Sequence, residues 1–115
     1  MKIEKFEEII SWQKGKELTL LIYMVFKKCR DFSFKNQLER ASVSIMNNIA
    51  EGFERRTNKE LTNFLYIAKG SAGEVRSMLD LGLELEYVAK KDFDKMYNLT
   101  LEISKLLSGF IKSLE

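Results

Sequence analysis

The chain has 115 residues, no proline, no histidine, one cysteine and a formal net charge of +2, the size of one domain built on a single core. Without histidine it has no Ser-His-Asp or Cys-His nucleophile and no Glu-x-x-His di-iron site. One thiol can make neither an internal disulfide nor a cysteine-built zinc or iron–sulfur centre.

Six glycines and no proline leave little to punctuate short strands, so helix is the default along the chain. The first helix is expected over residues 9–30. Trp12, Leu18, Ile22, Val25 and Cys29 recur on one face, with Leu21 and Phe26 beside it. The apolar run from Leu18 to Phe26 is too short to span a bilayer. Asp31-Phe32-Ser33 breaks the pattern, and Ser33 is the expected N-cap of the next helix, its hydroxyl accepting from free first-turn amides.

The second helix, expected over 34–56, carries two unlike stripes side by side. Leu38, Ala41, Ile45, Ile49 and Gly52 form an apolar line, and Gln37, Arg40, Ser44, Asn48, Glu51 and Arg55 form a polar one. A core helix ordinarily needs one apolar face and leaves the rest to water. A ladder of amide, guanidinium, hydroxyl and carboxylate groups at steps of three and four suits contacts within the bundle or between copies of it.

Thr57-Asn58-Lys59-Glu60 fits a capping box and opens the third helix, expected over 58–86. Its seam is Leu61, Leu65, Ala68, Ala72, Val75, Leu79 and Gly82. Gly70, Ser71 and Gly73 lie mid-helix, where an interior glycine costs about 1 kcal/mol relative to alanine. Close approach of a neighbouring helix would offset that cost, so these three are expected at a tight helix contact. The boundary near Tyr87 to Lys90 has no strong cap. The fourth helix, expected over 90–114, steps through Phe93, Met96, Thr100, Ile103, Leu107, Phe110 and Leu114. Tyr97, Leu99, Leu101, Leu106 and Ile111 widen its apolar surface beyond one seam and invite self-association. Periods near 3.5 and short connections predict an all-α, antiparallel up-down-up-down four-helix bundle.

Charge is uneven. Residues 1–59 hold twelve Lys/Arg against eight Asp/Glu, and residues 60–115 hold seven against nine. Lys27, Lys28, Arg30, Arg55, Arg56 and Lys59 sit at helix ends and connections, where cations complement the negative helix terminus and could also meet nucleic-acid phosphates. A solvated surface is the plainer account of the same residues. Glu51 and Glu74 lie at or near apolar faces and could serve as acid or base if desolvated. Pairing with Arg40, Arg55 or Arg76 explains them without chemistry.

Several segments together resemble the four-helix-bundle family encoded in 23S rRNA intervening sequences. They are Trp12, Leu18 and Ile22-Tyr23; Gln37-Leu38-Glu39-Arg40-Ala41; Ser44-Ile45; Asn48-Ile49-Ala50-Glu51-Gly52-Phe53 with Arg55; Phe64-Leu65; Ile67-Ala68; and Gly70-Ser71 with Glu74. The resemblance implies a homopentameric ring of bundles. It also implies kinship with the accessory variability determinant of diversity-generating retroelements, a basic pentamer that engages a reverse transcriptase and nucleic acid. On the matching positions, Arg40, Asn48, Glu51 and Arg55 would supply polar contacts within or between subunits. Gly70 and Ser71 would let helices approach.

The sequence therefore predicts a cytoplasmic, non-enzymatic scaffold that binds itself and docks RNA, DNA or a nucleic-acid enzyme, with no metal, cofactor, membrane or small-molecule substrate. The rival reading is a protein–protein adaptor with no nucleic-acid role.

Overall fold

The structure, a computed structural model, describes residues 2–115. Four helices run through them: α1 Ile10–Val25, α2 Phe32–Phe53, α3 Asn58–Glu84 and α4 Lys90–Ser113, preceded by a short 3-10 turn at Phe6–Glu8. Connections of four to six residues turn each helix back on the last, giving the antiparallel four-helix bundle that the apolar periods require. Neighbouring helices pack α1–α2, α2–α3, α3–α4 and α4–α1; among the described residues the backbones of α1 and α3 stay apart, as do those of α2 and α4. The helices thus stand at the corners of a square, in a body of 42 × 21 × 19 Å.

The core is the set of stripes facing the square's centre. All seven seam residues of α3 are buried, as are Leu38, Ala41, Ile45, Ile49 and Gly52 of α2. Burying one such aliphatic side chain is worth roughly 1.5–3 kcal/mol, and the stripe is continuous along both helices.

Helix ends depart from expectation in three places, one of them the end of α2, which stops at Phe53 and not near Arg56. α1 stops at Val25, not near Arg30. Its apolar period runs on because Phe26 is still buried and Cys29 half-buried in the turn that follows. That turn is closed by the Cys29 amide donating to the Phe26 carbonyl at 3.0 Å. The N-cap of α2 is Asp31, not Ser33: Asp31 Oδ1 accepts from the Phe34 amide at 3.1 Å. Its other oxygen accepts from the Tyr87 hydroxyl at 2.9 Å. This bond, 56 positions away in sequence, selects the aspartate over the serine.

Thr57 caps α3 as expected, its hydroxyl accepting from the Glu60 amide at 3.1 Å and donating to the Glu60 carboxylate at 3.1 Å. At the other end, the Tyr87 amide donates to the Gly82 carbonyl (2.8 Å) and the Glu86 amide to the Leu83 carbonyl (3.0 Å). These two bonds define a Schellman motif. Its left-handed position is held by Glu86 at φ 62°, where glycine would adopt the conformation at least cost.

The tight contact expected at Gly70 and Gly73 is not made within the bundle. A Cβ on Gly70 would meet nothing within 4 Å, and one on Gly73 would meet only the Arg76 guanidinium at 3.9 Å. The close approaches lie elsewhere. A Cβ on Gly52 would stand 2.7 Å from Phe64 Cβ, and one on Gly82 would stand 3.0 Å from the Phe34 ring. Gly70 lies on the outward side of α3, where a pattern of small residues reads the same as it would inside.

Candidate functional site

The polar ladder of α2 lies along the α2–α3 seam, and most of it is paired within the chain. Ser44 and Ser71 hydroxyls hydrogen-bond across the two helices at 2.8 Å. Asn48 Nδ2 donates to the Ser44 carbonyl at 2.8 Å and to its hydroxyl at 3.0 Å. Gln37 Nε2 donates to Glu74 at 3.3 Å. Ser71, expected at a close helix contact through its small size, thus works through its hydroxyl.

Arg55 closes the ladder. Its guanidinium donates to Glu51 at 2.8 Å, lies 3.9 Å from Glu60, and sits over the Phe64 ring at 4.8 Å. Arg40 is exposed and makes no ion pair in the chain. Ion pairs as open as these contribute about 0–1 kcal/mol each. The ladder's physical effect is registry: a half-buried hydroxyl pair holds α2 and α3 at one axial offset, since sliding either helix would strand both groups.

Glu51 and Glu74 are exposed and paired. They are not the partly desolvated carboxylates their sequence positions suggested. Among the described residues no three His, Cys, Asp or Glu side chains gather closely enough to hold a metal ion. Among the described residues no helix is long and apolar enough to cross a membrane. Arg76 Nη1 and Ser11 Oγ are buried without a hydrogen-bond partner.

The six candidate phosphate contacts do not converge. Lys27, Lys28 and Arg30 flank the α1–α2 connection, whereas Arg55, Arg56 and Lys59 flank the α2–α3 connection. The 22 residues of α2 separate the two groups, a distance of about 33 Å at helical rise. Arg55 is also committed to Glu51 and Phe64. Lys27, Lys28, Arg30, Arg56 and Lys59 are exposed and outside any ion pair in the chain.

At the first of these ends Tyr87 and Asp31 tie the α3–α4 connection to the start of α2. The hydrogen bond to Asp31 raises the Tyr87 pKa above its ordinary value, with desolvation and the negative Asp31 charge acting in the same direction. The effect is structural: the phenol keeps the proton that makes the latch.

A protein-family model describing 23S rRNA-intervening sequence proteins matches residues 7–109. The chain belongs to that family. A solved relative agrees with the bundle: the crystal structure of a protein with unknown function from the S23 ribosomal protein family of Bacteroides thetaiotaomicron VPI-5482. It is 28% identical, superposes with a TM-score of 0.84, and the match covers 89% of this chain and 98% of that one. No curated protein matches the chain. The span matched to the 23S rRNA-intervening sequence family contains the whole ladder, Gly70 to Gly73 and all six candidate cations.

Sequence reasoning misplaced the surplus apolar surface of this family member. On α4, Leu99 and Ile111 are buried, Tyr97 and Leu106 half-buried, and only Leu101 is exposed. Most of the uncovered side chains lie instead on α1 (Ile10, Leu20, Tyr23 and Met24) and α3 (Tyr66, Ile67, Leu81 and Leu85), with Phe32 at the start of α2. The signal for α1 was present: from Leu18 to Phe26 the helix is apolar nearly all round, more than one buried stripe can use.

Proposed function

We propose that this protein is a non-enzymatic scaffold. In this reading copies assemble into a closed ring, five of them by the family resemblance, and the ring docks RNA or DNA or an enzyme that works on it, such as a reverse transcriptase. The observation that carries the reading is the pair of uncovered apolar stripes on α1 and α3, in a bundle whose core is already closed. Exposed apolar surface on two sides of a small domain marks protein contact.

Repetition around a ring supplies what one subunit lacks. Of the candidate cations, a lone chain offers Lys27, Lys28 and Arg30 at one end and Arg56 and Lys59 at the other, too few for firm phosphate binding. A ring multiplies each group into a belt on one rim, and affinity for a polyanion grows with the number of cations that release counterions. The near-neutral total charge is no obstacle, because acids and bases are distributed unevenly along the chain.

Light scattering coupled to size exclusion tests the assembly, which should exceed one chain's 13.4 kDa several-fold. Retention of structured RNA by the assembled protein should fall steeply between low and moderate salt. An oligomer indifferent to RNA and DNA at low salt, whose partners survive nuclease treatment, would favour the adaptor role.

A further inference from the structure

We infer that copies of this chain join head to tail: the outer face of α1 on one copy packs against the outer face of α3 on the next, both helices running in the same direction. The inference rests on the self-association proposed above and names the two surfaces that perform it.

Geometry supplies the first argument. α1 and α3 occupy diagonal corners of the bundle, their backbones apart, so their outer faces look to opposite sides. Each bears a stripe at helical spacing. Leu20, Tyr23 and Met24 are 62%, 47% and 65% exposed, and Leu81 and Leu85 are 50% and 45% exposed. Two different apolar patches on opposite sides of one chain are the requirement for a heterologous contact, which closes into a ring when the rotation allows. A single patch would give a dimer and stop.

Charge supplies the second. The α1 patch is bordered by Lys16, Glu17 and Lys27, a rim of net positive charge, and the α3 patch by Asp80, Glu84 and Glu86; all six are exposed and, among the described residues, outside any ion pair. A basic rim thus has an acidic rim to meet. The uneven charge of the sequence finds a use between subunits, with Lys27 at the seam and Lys28 and Arg30 left on the ring's rim. Glu86 adds weight, since it keeps a carboxylate at the left-handed position where glycine would be easier.

Direction supplies the third. In an up-down-up-down bundle α1 and α3 run parallel, so both patches lie toward the same end, near the α1–α2 and α3–α4 connections. Rotating a copy about an axis along the bundle brings Leu20 and Met24 level with Leu81 and Leu85. Turning it end over end would set them beside Lys59 and Asn63 instead. Gly70, on the outward side of α3 with empty space at its Cβ position, offers no side chain to hold the incoming helix away.

The test uses two surface variants of the full chain. One carries Leu20→Glu and Met24→Glu, the other Leu81→Lys and Leu85→Lys, and circular dichroism and thermal melting confirm that each folds. Alone, each should run as a 13.4 kDa monomer. Mixed in equal amounts, they should form a discrete two-chain species, because each still owns one intact face. A monomeric wild type would overturn the self-association reading and this inference with it. An assembled wild type whose two variants also assemble would keep that reading and overturn the chosen faces. Monomeric variants whose mixture stays monomeric would overturn the head-to-tail pairing.

Discussion

The α2–α3 pair holds glycines in two opposite environments. Where α2 ends beside the first turns of α3, Gly52 presses against the Phe64 side chain so closely that no Cβ fits. Midway along the outward side of α3, Gly70 has open space where the same atom would go. Both residues cost helix propensity. The first loss is repaid inside the chain by packing. The second has no repayment within one subunit, and Gly109 on α4 is open in the same way.

Substitutions can break that contrast. Gly52→Ala should cost about 1–3 kcal/mol of stability in chemical denaturation, because overpacking against Phe64 and Leu61 outweighs the helix gain. A neutral result would mean that α2 and α3 can part without loss, and the inner half of the comparison would fall. Glu86→Gly should instead stabilise the isolated bundle by about 1 kcal/mol, by relieving the left-handed residue of the Schellman motif. If the acidic rim meets a basic one, the same change loosens the assembly, so melting temperature and oligomer mass move in opposite directions. Gly70→Ala sharpens the outer half. It should raise monomer stability by up to about 1 kcal/mol and, by placing a methyl group in the proposed seam, lower the concentration-dependent stability of the oligomer. A gain in both would remove Gly70 from the interface.

The same division explains how far the sequence could be read. The four stripes, the Thr57 cap and the lengths of α3 and α4 were legible, because apolar period and capping chemistry are local. The α1 end was misread because Phe26 and Cys29 continue the period into a turn that still touches the core. The α2 cap was misread because Tyr87, far along the chain, engages Asp31. Of the candidate site, the ladder's residues were legible as polar groups at helical spacing. Their partners were not: Ser71 for Ser44, Glu74 for Gln37 and Phe64 for Arg55 come from another helix.

What the amino-acid sequence alone determined is the fold class and family. Helical period, absent proline and the Asn-Ile-Ala-Glu-Gly segment are properties of neighbours in the chain. Which glycines are crowded, which cations share an end and which apolar residues stay uncovered was decided only by tertiary structure. Those properties depend on the rotation and axial offset of each helix against the others. Such settings arise from the packing of residues dozens of positions apart, and periodicity along a single helix leaves them open.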